Sequence, residues 1–218
     1  ADAGASAYFG ADWLLVGGLL TLGFGAVGML ASQDLARMAG YSVLVSSGTL
    51  LAAIGSGVPA ATAPALYYMV SSTLAIAAFF LLIELIERGR RAGADILAVT
   101  LEAFGAADVE PEEDEAGMVI PATMALLGLS FLLCALLLAG LPPVSGFIAK
   151  FALLSALFNS GGLGADGSIA VVAWVLLAAL LLSGLAALIG MTRAGIRTFW
   201  APVGNTVPRV RLIEMVPV

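Results

Sequence analysis

The chain has 218 residues, 61% of them hydrophobic and 11% charged, with a mean hydropathy of +1.07. Soluble domains carry roughly 25% charged residues, so this composition excludes one and points to a polytopic membrane protein. The net charge of −6 without a basic cluster argues against a nucleic-acid partner. A single cysteine, Cys134, excludes an internal disulfide, a cysteine-held metal and an iron–sulfur cluster.

Residues 1–11 are small and polar, lack the basic start of a signal peptide, and read as an external loop or a cut end. A first span is expected over 12–31, studded with Gly17, Gly18, Gly23, Gly25 and Gly28, since small residues let membrane helices approach closely. Asp34 and Arg37 in the following turn are spaced as a structural clamp. The second span, 38–57, carries Ser42, Ser46, Ser47 and Thr49. The third, 64–86, opens on Pro64, a favourable first-turn proline, and carries Tyr67, Tyr68, Ser71, Ser72 and Thr73. These hydroxyls suit either a water chain or packing between helices. Glu84 stands four residues before Arg88 and reads first as half of an interfacial ion pair, second as a proton carrier within the membrane.

Residues 87–117 are expected to form a cytoplasmic loop. It would hold a short amphipathic piece on the membrane interface (Ile96, Leu97, Leu101, Phe104) and a solvated acidic run from Glu110 to Glu115. The apolar stretch 118–158 is interrupted by Leu141-Pro142-Pro143-Val144-Ser145-Gly146. A glycine-rich turn, 159–167, leads into a last span, 168–192. The tail, 193–218, carries Arg193, Arg197, Arg209 and Arg211 and ends like the entrance to another helix, so the chain reads as truncated.

Charge selects among topologies. If 118–158 crosses once, every arginine (Arg37, Arg88, Arg90, Arg91, Arg193, Arg197, Arg209, Arg211) falls on one side, as the positive-inside rule requires. If it crosses twice, the last four face the other way. An unbroken helix over 118–158 would measure roughly 60 Å at ~1.5 Å per residue, about twice the ~30 Å hydrocarbon core. The expected fold is therefore all-α: a membrane helix bundle of five crossings, the fourth discontinuous at the proline pair, with the arginine side cytoplasmic.

Lys150, the one lysine of the chain, follows that break. Pro142 and Pro143 have no N–H to give the carbonyls of Leu138 and Ala139, which are left for water, a cation or a polar side chain. A second half-helix starting near Val144 to Gly146 puts Lys150 within about a turn and a half of its start. Ionisable residues inside a membrane are costly and usually functional, and lysine, unlike arginine, can give up its proton. A buried proton relay is the preferred reading, ahead of a lysine snorkelling to the interface. No cofactor or metal is expected: no dinucleotide-binding glycine fingerprint and no carboxylate cluster within a span is present.

The run Ala139-Gly140-Leu141-Pro142-Pro143-Val144-Ser145-Gly146-Phe147-Ile148-Ala149-Lys150-Phe151 resembles the broken-helix signature of the antiporter-like membrane subunits. That family includes the Mrp (Pha) multisubunit cation/proton antiporters and the proton-pumping subunits of respiratory complex I. Gln33-Asp34-Leu35-Ala36-Arg37 with Tyr41-Ser42 is similar to the family's turn between its ninth and tenth helices. Gly117 to Pro121, Arg197-Thr198-Phe199-Trp200 and Val207 to Val210 lean towards the Mrp D-type subunits. The resemblance implies the second of two inverted five-helix repeats, in a prokaryotic cytoplasmic (inner) membrane. It also implies partner subunits of an antiporter complex, protons and a monovalent cation (Na⁺ or K⁺) as cargo, and Lys150 as the lysine of the broken helix. Under it Lys150 is the relay, with Pro142, Pro143, Ser145, Gly146, Tyr67, Ser71, Ser72 and Glu84 in support. A pump subunit of a quinone-reducing complex and a non-conducting scaffold are the alternatives. Family members often carry a histidine on the eleventh helix, where this chain has Ser71 and Ser72 and no basic residue.

Overall fold

The computed structural model describes residues 10–104, 122–159 and 170–200. The expected acidic run, the glycine-rich turn from 160 onward, Arg209, Arg211 and residues 1–9 lie outside the described residues. The regular elements are α1 (Ala11–Ala31), α2 (Leu35–Gly55), a 3₁₀ turn (Pro59–Ala61), α3 (Thr62–Phe104), α4 (Ala122–Ala139), α5 (Ser145–Phe158) and α6 (Val171–Gly195). A π-helical turn, Ile196–Trp200, extends α6, and no strand occurs among the described residues. Four stretches are long and apolar enough to cross a bilayer: Ala11–Ala31, Leu35–Gly55, Pro59–Arg88 and Val171–Phe199. α4 and α5 are shorter apolar helices.

Several boundaries shift by one to three residues from those read in the sequence, α6 lying at Val171–Gly195 rather than 168–192, and two differences have a clear physical cause. α2 begins at Leu35 rather than Met38, because Asp34 caps it: the Ala36 N–H donates to its carboxylate at 3.1 Å. Arg37 sits 3.7 Å from the other carboxylate oxygen, both groups exposed, which is the expected clamp. α3 does not end near residue 87. It runs on to Phe104 as one helix of 43 residues, roughly 65 Å at ~1.5 Å per residue. No proline falls between 87 and 104, arginine is a good helix former, and Gly89 and Gly93 each weaken a helix by only ~1 kcal/mol. Ile96, Leu97, Leu101 and Phe104 therefore belong to the end of α3 and not to a separate interfacial piece.

α1 and α2 form an antiparallel pair brought together by glycine. A Cβ at Gly18 would strike the backbone of Gly48 and Ala52, one at Gly48 the backbone of Leu22, and one at Gly55 the backbone of Leu15. The backbones touch where side chains would otherwise hold them apart. Thr49, next to Gly48 but turned towards Tyr68 of α3, is fully buried and returns its hydroxyl to the Val45 carbonyl at 2.7 Å.

Two apolar clusters mark the two ends of the bundle. One gathers Met38 of α2, Leu82, Ile83 and Ile86 of α3, Phe131 and Cys134 of α4, and Met191 and Ala194 of α6. Cys134 is a buried member of this core, as a small hydrophobe would be. The other joins Ala52 and Ala53 of α2, Ala61, Ala65 of α3, Leu153 and Leu157 of α5, and Ala173 and Leu176 of α6. α4 thus packs at the end where α2 starts and α6 finishes, and α5 at the opposite end. At the first end Arg193 donates to the carbonyls of Leu30 (2.9 Å) and Ser32 (3.3 Å), closing the C-terminus of α1, while Arg197 bonds Gln33. A cation is favoured there by the helix dipole and by the unpaired last carbonyls.

Replacing Gly48 by leucine should split the α1–α2 seam and destabilise the protein by more than the ~1–3 kcal/mol usual for overpacking, because backbone has to move. Gly17→Ala, where an added Cβ meets nothing within 4 Å, should hold stability or raise it by up to ~1 kcal/mol. Thermal unfolding of the purified protein in detergent compares the two; equal melting points would contradict the seam.

Candidate functional site

The site begins where α4 stops. Gly140 takes a left-handed conformation (φ 75°), and the N–H groups of Gly140 and Leu141 both donate to the Leu136 carbonyl, at 2.9 and 3.1 Å. This glycine-terminated turn is a common way to end a helix, and Pro142 and Pro143 prevent its resumption. The chain re-enters helix at Ser145, with Val144 as an extended cap residue that offers no side-chain bond. Gly146 lets the start of α5 lie on the end of α4: a Cβ there would collide with the Leu137 carbonyl.

Lys150 reaches back across this break. Its Nζ donates to the Ala139 carbonyl at 3.0 Å and the Leu138 carbonyl at 3.3 Å, the two oxygens that the proline pair deprives of helical donors. The lysine thus supplies the donors that the prolines lack. The residue is half-buried, and no carboxylate lies around it in the cavity it lines.

That cavity, about 20 Å³, lies among all six helices, with Met29 of α1 and Ala187 of α6 in its wall, and its polar lining is Ser42, Ser46, Tyr68, Ser71, Ser72 and Lys150. A volume of ~10–15 Å³ is enough for one water. Its hydroxyls are tied together: Ser46 donates to Ser72 at 2.7 Å, and Ser71 donates to Ser145 at 3.1 Å. Tyr68, only 4% exposed, has its hydroxyl beside Thr49 and Ser46. The Ser71–Ser145 bond ties α3 to the first residue of α5. Hydroxyls both donate and accept, and Ser71, Ser72 and the amine border the same cavity.

Of the residues singled out in the sequence, Pro142, Pro143, Ser145, Gly146 and Lys150 come together at the break, and Ser71 and Ser72 face it from α3. Tyr67 does not join them: it is 45% exposed and points off the bundle, and the adjacent Tyr68 occupies the cavity wall. One residue is a 100° rotation on a helix, and the cavity face is the 68, 71, 72, 75 row. Glu84 is likewise absent from the cavity; its carboxylate accepts from Arg88 Nε at 2.8 Å in an exposed pair, the ion-pair partner expected for it. Thr73 points away and bonds the Met69 carbonyl. Two glycines escaped sequence reasoning: Gly140, beside the lysine chain, and Gly184 of α6, beside the Ala139 carbonyl. The adjacent pair Ser183-Gly184 amid an apolar span was the available signal. Among the described residues, no group of three His, Cys, Asp or Glu side chains is placed to hold a metal ion.

Comparison with known proteins bears on this arrangement. The sequence profile of the family described as "NADH:quinone oxidoreductase/Mrp antiporter, TM" matches residues 5–177. The chain is 62% identical over 216 residues to a probable K(+)/H(+) antiporter D-type subunit from Rhizobium meliloti, an alignment covering 99% of this chain and 40% of that protein. It is 29% identical over 187 residues to the Na(+)/H(+) antiporter D-type subunit from Bacillus subtilis, covering 86% of this chain and 32% of the relative. It is 29% identical over 155 residues to the NADH-quinone oxidoreductase N-type subunit from Trichlorobacter lovleyi, covering 69% and 28%. The chain therefore spans two-fifths or less of the length of these relatives. With the profile covering most of the chain, including the proline break and Lys150, this protein belongs to the NADH:quinone oxidoreductase/Mrp antiporter family of membrane proteins.

Proposed function

We propose that the chain forms part of a proton-translocating membrane subunit of a multisubunit monovalent cation/proton antiporter, with Lys150 as its proton relay. The observation that carries this reading is the contact of Lys150 with the two carbonyls left open by Pro142 and Pro143, at the edge of a hydroxyl-lined cavity. The amine is held by backbone oxygens and not by a carboxylate. It can exchange its proton with water or hydroxyls in the cavity without breaking an ion pair, which in a low-dielectric interior would cost several kcal/mol or more.

In this reading α4 and α5 together make the fourth of five crossings, discontinuous at Gly140–Val144. Their packing at opposite ends of the bundle supports it. The end that carries Arg37, Arg193 and Arg197 faces the cytoplasm, following the positive-inside rule, in a bacterial inner membrane. Na⁺ or K⁺ is the exchanged cation, and the partners are the other subunits of the complex, in keeping with the names of the antiporter relatives. Likeness to a quinone-oxidoreductase subunit keeps a second reading, a proton-pumping subunit of a redox complex; co-purification with quinone-reductase activity would select it.

The deciding measurement is pH-gradient-driven cation exchange in vesicles holding the full parent complex. Lys150→Ala and Lys150→Arg should abolish exchange, while Lys150→Glu, which still titrates, should keep a remnant. Normal exchange with arginine would show that a fixed charge suffices and would end the relay reading. Normal exchange with alanine would leave a scaffold.

The hydroxyl lining predicts a further difference in the same assay. The double variant Ser71→Ala/Ser72→Ala should slow exchange several-fold, whereas Tyr67→Phe, altered on the outer face, should leave it unchanged. The reverse order would mean that the cavity is not the proton's route.

A further inference from the structure

We infer that Gly184, with Gly140, is a positioning residue: the two glycines form a slot that fixes where the Lys150 amine docks. The inference rests on the relay reading above and adds to it residues that touch neither proton nor cation.

Gly140 and Gly184 approach the lysine from different elements. A Cβ on Gly140 would stand 2.8 Å from Lys150 Cδ and 2.9 Å from Nζ, so the amine end of the side chain fills the space that this glycine leaves. Its left-handed backbone (φ 75°) separately demands glycine. Gly184 lies in the middle of α6, where no turn calls for it. A Cβ there would stand 2.7 Å from the Ala139 oxygen, the nearer acceptor of Lys150, and 3.9 Å from Nζ itself. Contacts under 3.0 Å are essentially unknown for real Cβ atoms, and the group in the way is backbone, which cannot swing aside. Any side chain at 184 has to push α6 outward or turn the Ala139 carbonyl away from the amine.

The dock also borders the cavity, whose wall around Lys150 includes Ser71 and Ser72 of α3 and Ala187 of α6. Displacing α6 would therefore loosen the dock and change the space around the amine together. Tyr68 of α3 is the other titratable group on the cavity wall, and α1, α2, α4 and α6 place no charged side chain there among the described residues.

The test uses the full parent complex in vesicles, comparing Gly184→Ala with Gly128→Ala on α4, where an added Cβ meets nothing within 4 Å. Gly128→Ala should behave as wild type. Gly184→Ala should assemble, keep the cation KM, lose on the order of tenfold to a hundredfold in turnover, the scale of a misplacement near 1 Å, and shift the pH profile of exchange. A wild-type rate and pH profile would overturn the slot, and so would a lower rate with an unmoved profile, which marks a packing defect. If Gly184→Ala fails to assemble, the double variant Gly184→Ala/Lys150→Ala decides. Recovery of assembly would show that the lost dock, an amine deprived of its acceptor, was the fault, whereas continued failure would assign Gly184 to helix packing and sink the proposal. Lys150→Ala alone, in the same series, separates the failure of the slot from that of the relay: normal exchange there removes the relay itself.

Discussion

Two consecutive prolines take two donors out of a helix, and a lysine in the helix that follows answers them. Everything around the cavity follows from that exchange. An unpaired carbonyl in an apolar interior costs on the order of 1–3 kcal/mol, so the break between α4 and α5 would be unfavourable without a partner for Leu138 and Ala139. The ammonium, equally unfavourable alone in hydrocarbon, finds in these oxygens the acceptors it needs. Each feature makes the other tolerable, and both are placed by the same short segment. The end of α4 adds the negative pole of a helix dipole to those carbonyls, the arrangement by which interrupted helices hold cations in membrane transporters.

Around this pair the rest of the bundle acts as a mould. The glycine seam between α1 and α2 brings the two backbones together, which sets the serines of α2 against the α3 face that carries Tyr68, Ser71 and Ser72. The Ser46–Ser72 and Ser71–Ser145 bonds then tie α2 to α3 and α3 to α5. The sequence has no histidine, and the polar wall of the cavity is made of hydroxyls beside the one lysine. Such a lining places no second positive charge beside the lysine, and so avoids the repulsion two cations would feel in a low dielectric.

Much of this was legible in the sequence because the strongest signals were local and chemical. The proline pair and the single lysine each have one main physical consequence, and they led to the interruption between α4 and α5 and to the carbonyls of Leu138 and Ala139, while composition led to the helical class. Rotational detail was less legible. Tyr67 and Tyr68 are adjacent and chemically identical, and which one faces inward depends on how α3 is turned against α2, which hydroxyl content does not determine. The end of α3 was missed for a related reason: arginines and glycines signal exit from a bilayer, but neither stops a helix. Gly184 was invisible because its role is defined by an oxygen on another helix, and glycine in an apolar span ordinarily means only close packing.

The hold that Arg193 takes on α1 and the hold that Lys150 takes on α4 use the same kind of contact, a cationic side chain on the carbonyls that end a helix. One joins α1 to α6 at the rim of the bundle, and the other joins α4 to α5 at the break. The two differ in the cation: arginine as a residue type keeps its proton, and lysine can give it up. Under the proposed relay, the rim is thus fastened by a contact that the proton traffic at the centre does not use.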